Sequence, residues 1–314
     1  MKVIASAGKE DLAVVYVGEF EGGHYLEFVE ALSPPKPRRE KWVLLVSTLY
    51  GCPIGCQMCD AGGYYQGKVS KEDLFSQIDY LVRKHYPDGV IPCEQFKIQF
   101  ARMGEPAFNT AVLDVLEELP ERYDAPGLMP SISTIGPWGV DGFFNQLLQI
   151  KNERYAGGRF QMQFSIHTTD QALRDEIIPA RKWDFSRISA YGERFYKPGD
   201  RKLTLNFALA DGMPVEPDVL LQFFSPEKFL IKITPLNPTY QARENELRTY
   251  IDPRQGENGY GIVRDLRSAG YRVIISIGEA EENLIGSNCG QYVRKHLEAK
   301  EQIAGGYLYP LIEN

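Results

Sequence analysis

The chain has 314 residues, 43% hydrophobic, 25% charged and 12% aromatic, which is enough apolar side chain for a sizeable core and excludes a disordered segment or a small disulfide-stapled scaffold. Thirty-five lysines and arginines against 42 acids give a net charge of -7, so nothing global attracts phosphate polymers, and no apolar run is long enough for a membrane span or a secretory leader. With a cytoplasmic location expected on that ground, the odd count of five cysteines argues against a disulfide framework and toward metal, cluster or thiol chemistry.

Along the chain, Leu12 to Val17 and Tyr25 to Val29 flank Gly22-Gly23 and predict a β-hairpin. Ser33 to Lys41, with Pro34, Pro35 and Pro37 among basic residues, predicts a stiff connector into a strand over 42–47. Ser70 is expected to cap a helix whose apolar positions Leu74, Ile78, Leu81 and Val82 keep helical spacing. Strands are then predicted at 96–100, 130–134, 160–166, 203–209, 229–234 and 271–277, separated by helices at 110–119, 142–150, 171–178, 218–224 and 261–269. Strands separated by helices imply right-handed crossovers and a parallel sheet. The expected fold class is α/β, a partial (β/α)6 TIM-like barrel over 42–288, preceded by a β-hairpin extension over 1–41 and followed by a loop and helical tail over 289–314. In such barrels chemistry sits on the loops after the strands.

The loop after the first barrel strand holds Cys52, Cys56 and Cys59, a Cys-x3-Cys-x2-Cys spacing that brings three soft thiolates toward one inorganic object. A structural zinc site would need four ligands, and a fourth would have to come from Cys93, Cys289 or a distant histidine. Three cysteines on a four-iron four-sulfur cluster leave one iron open to a substrate or cofactor. The spacing, with apolar Met58 before the last cysteine, is similar to the radical S-adenosylmethionine signature. After the second strand, Met103-Gly104-Glu105-Pro106 resembles the superfamily motif whose carboxylate holds the methionine amino group of that cofactor.

Read with Ser133-Thr134, Ser165-Ile166-His167, Pro235-Leu236-Asn237-Pro238 and Asn288-Cys289-Gly290-Gln291, the chain resembles the RlmN and Cfr RNA adenosine methyltransferases from about Gly22 to Tyr292. The resemblance implies a radical enzyme that methylates an sp2 carbon by way of an S-methyl group on Cys289, with Glu27 matching an acid-base carboxylate. It implies a three-cysteine cluster and S-adenosylmethionine as cofactors, with Met58, Gly104, Glu105, Ser133, Ser165, Ile166, His167 and Asn237 around the latter. It also implies a flavodoxin- or ferredoxin-type electron donor. The alternatives are a radical enzyme that takes hydrogen directly from its substrate, and a non-enzymatic zinc or cluster protein.

Two departures shape the expected substrate. Where the family carries a second catalytic cysteine, this chain has Leu45, and only about twenty residues precede the hairpin's Gly22-Gly23 turn, where the family has a helical RNA-engaging domain. With the acidic charge, these lead to the expectation of a small-molecule or peptide substrate rather than large structured RNA. Cys93 is expected to serve packing, and His24, His85 and His296 to be solvated.

Overall fold

In a computed structural model, residues 1–252, 260–278, 280–287, 308–310 and 312–313 of the chain are described. Strands β1 (Lys2–Lys9), β2 (Ala13–Phe20) and β3 (His24–Ala31) form an antiparallel meander, and β3 pairs antiparallel with β4 (Lys41–Val46). The hairpin predicted from sequence is β2 and β3, and β1 adds a third strand to it. A short ribbon, β5 (Leu49–Gly51) with β6 (Tyr65–Lys68), frames the cysteine segment. Alternation then begins with α1 (Lys71–His85), β7 (Gln95–Phe100), α2 (Ala111–Arg122), β8 (Leu128–Thr134), α3 (Asp141–Arg154) and β9 (Gln161–Ser165). It continues through α4 (Gln171–Ile177), α5 (Phe185–Phe195), β10 (Leu203–Leu209), α6 (Pro217–Phe223), β11 (Phe229–Pro235), α7 (Tyr240–Glu244), α8 (Gly261–Ser268) and β12 (Val273–Ile275). A helix α9 (Ala280–Ile285) and a short β13 (Ile312–Glu313), paired with β1, follow.

Strands β4, β7, β8, β9, β10, β11 and β12 run parallel in that order, so the α/β expectation of a partial barrel holds, with seven parallel strands in it. The antiparallel strands continue the same sheet, giving eleven strands in all.

Strand alternation sorts the residues between two faces. On β4 and β7, Trp42, Leu44, Val46, Phe96, Ile98 and Phe100 are fully buried against the helical layer, while Lys41, Val43, Leu45, Gln95, Lys97 and Gln99 face the other way, toward the lumen. The main core therefore lies outside the sheet, packed against helices such as α1, and the lumen is free to be polar.

Local signals explain several boundaries. The Ser70 side chain accepts from the Asp73 N–H at 3.0 Å, and α1 carries Glu72 and Asp73 in its first turn and Arg83, Lys84 and His85 in its last, as a helix dipole favours. Helix α2 runs through Pro120, which has no N–H for the carbonyl one turn back. The Tyr155 hydroxyl donates to that carbonyl, on Leu116, so the proline leaves no buried acceptor unpaired.

His85 is not a solvated position: its ring meets the Glu30 carboxylate at 2.7 Å with its side chain 13% exposed, and Lys84 and Tyr16 join the same carboxylate. That network ties α1 to the meander. Cys93 is buried at the start of β7, its thiol 3.0 Å from the Arg38 carbonyl, in keeping with a packing role. No helix among the described residues is long and apolar enough to cross a membrane.

Candidate active site

The cysteine segment leaves β4 at the C-terminal edge of the parallel strands and is fastened on several sides. Asn109 donates to the carbonyls of Thr48 and Val69, at 2.8 and 2.7 Å, bracing the segment's two ends. The loop after β11 clasps the middle: the Thr239 hydroxyl donates to the Met58 carbonyl at 2.9 Å, and Asp60 accepts the backbone N–H groups of Tyr240 and Gln241 that open α7. Asn245 donates to the Gln57 carbonyl at 3.0 Å, and the Gln57 N–H to that of Ile177.

Cys52, Cys56, Met58 and Cys59 line one cavity of about 550 Å³. Burial pushes the Cys52 thiol up to about 11 and that of Cys56 up to about 12. Among the described residues no three His, Cys, Asp or Glu side chains converge tightly enough for a single metal ion.

Gly104, Glu105, Ser133, Ser165, His167 and Asn237 line the same cavity from the ends of other strands, so the structure brings these predicted residues together with the cysteines. Ile166 does not line it; its side chain is fully buried and its N–H donates to the Asn206 carbonyl at 2.9 Å. Gly104 has φ +90°, and a Cβ there would fall 2.4 Å from Leu49 Cβ, so glycine lets the Glu105 loop pack directly on β5.

Glu105 is buried and accepts from the Ala107 N–H at 3.1 Å, the Ile135 N–H at 3.0 Å and the Thr134 hydroxyl. Burial nevertheless pushes its pKa up to about 7, because the hydrogen bonds only partly offset desolvation. A cation delivered beside it would restore the charged form.

His167 sits at φ +68°, a left-handed conformation for a non-glycine residue, and turns its ring back so that Nδ1 accepts the Ala208 N–H at 3.1 Å. Its proton is then on Nε2, and burial with the nearby Arg174 charge pushes its pKa down to about 3, so it presents a neutral donor to the cavity. Arg174, itself buried, donates to the carbonyls of Trp183, Ile135 and Ser165 and so ties the loops after β8 and β9 together. The Ser133 hydroxyl accepts from Gln163 at 3.1 Å.

The other predicted residues lie differently. Glu27 is on the inner face of β3, level with Val17 of β2, and does not line the cavity. Its carboxylate meets Arg102 at 2.6 Å, the two side chains 0% and 2% exposed. The same guanidinium donates to the carbonyls of Gly286 at 2.9 Å and Ser287 at 3.0 Å. Cys289 itself lies outside the described residues, as does His296. Leu45, at the family's second cysteine position, turns its side chain to the cavity, paired with Val29 and Gln99.

Sequence reasoning missed Arg102, Gln163, Asn206 and Lys232, all of which line the cavity. Three of them are inward positions of strands, and the period-two pattern of polar residues there was the available signal. Arg102 directly precedes the Met103-Gly104-Glu105 motif and carried no signal of its own.

No protein-family model matches the chain. It is 27% identical over 291 residues to a protein named probable dual-specificity RNA methyltransferase RlmN from Desulfitobacterium hafniense, covering 89% of this chain and 75% of that relative. It is 25% identical over 285 residues to the dual-specificity RNA methyltransferase RlmN of Halorhodospira halophila, covering 87% of this chain and 71% of the relative. In structure it is similar to a radical SAM methyltransferase from Sphaerobacter thermophilus, with a TM-score of 0.68 and 17% identity over 91% of this chain and 80% of that one. At that identity the likeness is one of fold.

Proposed function

We propose that this chain, a radical S-adenosylmethionine methyltransferase of the RlmN and Cfr-like family, methylates an sp2 carbon through a methyl group first carried on Cys289. The observation that carries the reading is the reach of Arg102. One buried side chain, immediately before the Glu105 motif, holds the carbonyls two and three residues before Cys289. The thiol-bearing segment and the cofactor motif are thereby tied to each other.

A four-iron four-sulfur cluster with S-adenosylmethionine supplies, when bound, a 5'-deoxyadenosyl radical able to take hydrogen from an unactivated methyl group. Support for the cluster is the set of three soft thiols lining one cavity. Around the cofactor, Glu105 takes the ammonium, the Nε2–H of His167 donates to a ribose oxygen, and Ser133, Ser165 and Asn237 supply further polar contacts. Met58 and Gly104 shape the walls, and Ile166 contributes from behind them, its N–H on the Asn206 carbonyl. Glu27 acts as a positioning residue, holding the charge of Arg102. Reduction calls for a flavodoxin- or ferredoxin-type donor, and a thiol-ligated cluster suits a reducing cytoplasm.

The names of the relatives put a nucleobase first among heteroaromatic rings to receive the methyl group. Leu45 favours keeping a second reading, in which Cys289 is a hydrogen donor and the substrate is attacked directly, because a leucine in the cavity supplies no thiol for release. Mass spectrometry of Cys289 decides between them. A methyl group on that sulfur after incubation with S-adenosylmethionine is the expected result, and an unmodified thiol would rule the first reading out. For the cofactor contact, Glu105→Gln removes a charge-assisted bond worth about 1.5–3 kcal/mol. S-adenosylmethionine affinity, measured by calorimetry, should fall about 10- to 150-fold, and unchanged affinity would remove Glu105 from the site.

A further inference from the structure

Beside and below the residues assigned to the cofactor, the lumen of the barrel carries lysines. Lys232 lines the cavity and is level with Asn206 and, one strand further on, Ser165. Lys97 stands two residues before Gln99, and Lys41 two residues before Val43; Gln99 and Val43 both line the cavity, and period two puts the lysines on the same inner face. Two residues of strand place Lys97 about 6.6 Å deeper than Gln99, away from the loops that carry Glu105 and the cysteines.

Among the described residues none of the three lysines has a hydrogen-bond or ion-pair partner, and no lumen-facing position of the seven parallel strands is acidic. Glu105 and Glu282 are the acidic residues on the cavity wall, and Glu282 of α9 acts on Lys41. A second cavity at the opposite end of the strands, of about 350 Å³, adds Lys36, Arg159 and Arg201 around Glu40 and Glu94. Burial, with the neighbouring charges of Lys232, Lys41 and Arg201, holds Lys97 down to about 7. Beside Lys232, the Asn206 side-chain oxygen is buried with no hydrogen-bond partner, in a residue 8% exposed. A buried acceptor and a set of lysines without partners among the described residues are costly features that a ligand would satisfy.

We propose that this lumen is the binding site for a phosphomonoester on the substrate, with Lys232, Lys97 and Lys41 neutralising the dianion and Asn206 accepting from an adjacent hydroxyl. This rests on the reading of the chain as a methyltransferase and names its substrate class, a nucleotide-sized phosphomonoester whose ring reaches up toward the cofactor. A phosphate of charge close to -2 matches several convergent lysines better than a single carboxylate does.

The test is calorimetric titration of the cluster-loaded protein, at fixed ionic strength, with inorganic phosphate, adenosine 5'-monophosphate, adenosine and benzoate. Phosphate and the monophosphate are expected to bind, adenosine and benzoate at least tenfold more weakly. Lys97→Met and Lys232→Met should each weaken monophosphate binding tenfold or more. Because removing an unpaired cation from the lumen relieves a desolvation cost, Lys97→Met should also raise the melting temperature, by about 2 °C or more.

Equal binding of benzoate, equal binding by wild type and both variants, or no phosphate binding would overturn the proposal. So would a lowered melting temperature in Lys97→Met, which would make the lysine structural. Parallel weakening of S-adenosylmethionine would assign the lysines to the cofactor carboxylate instead. Displacement of phosphate by an RNA hairpin without terminal phosphates would point to a polymer and equally end it. None of these readouts depends on Cys289, so the site can fail while the methyl-carrier reading stands, and the reverse.

Discussion

Replacing Cys56 by alanine is expected to abolish cluster assembly and S-adenosylmethionine cleavage together. Cys56 shares its cavity with Cys52 and Cys59, and Cys93, the other described cysteine, is at the far end of β7 with its thiol on the Arg38 carbonyl, unable to substitute. The loss should be chemical rather than structural. The cysteine segment is fastened through backbone groups: Asn109, Thr239 and Asn245 donate to the carbonyls of Thr48, Met58 and Gln57, and Asp60 accepts from the Gln241 N–H. Iron and sulfide analysis of anaerobically prepared variant should return background values while the cluster-free melting temperature matches that of cluster-free wild type. Cys93→Ala serves as the control and should keep its full iron content. Stoichiometric zinc in the wild type, with no cluster obtained on reconstitution, would end the radical reading.

The barrel was legible because strand and helix periods alternate without interruption from Trp42 onward, and tertiary packing rarely contradicts so regular a pattern. Where it does, a single neighbour is responsible. Helix α5 was unpredicted: Gly192 in its interior costs about 1 kcal/mol of helix propensity, yet a Cβ there would fall 2.2 Å from the Phe229 ring, so close packing on β11 demands glycine. Strand β1 was hidden for a different reason. Its small inward residues Ala5 and Ala7 give little hydrophobic contrast, and their burial comes from Val15, Val17 and Ile285. Helix α2 outran its predicted end because Tyr155, remote in sequence, caps the carbonyl that Pro120 leaves open.

The site divides in the same way. Cysteine spacing, the Glu105 motif and the strand-end residues are local patterns, and the fold brings them to one cavity. The lumen lysines and Arg102 depend on which face of a strand turns inward and on a segment more than 180 residues away in sequence. A local pattern cannot carry that information. Even the orientation of Glu27, ambiguous on a hairpin read alone, is settled only by its pairing with Arg102.

Cys289→Ala should retain S-adenosylmethionine cleavage and lose methyl transfer entirely, since no described thiol outside the cluster set lines the cavity. Arg102→Met should reach a similar chemical end by another route, and the two are separable by stability. With both side chains of the Glu27–Arg102 pair out of solvent, removing the guanidinium takes the counter-ion from a buried carboxylate at a cost of about 3–5 kcal/mol. Adding Glu27→Gln should recover much of that loss in denaturant titrations, because a neutral amide needs no counter-ion. It should not recover S-methylation of Cys289, because the donors to the Gly286 and Ser287 carbonyls remain absent. If methylation returned with stability, Arg102 would be a fold-stabilising residue and nothing more, and retained methylation in Cys289→Ala would overturn the carrier mechanism itself. Loss of methylation at restored stability is the outcome that makes the arginine a positioning residue for the thiol.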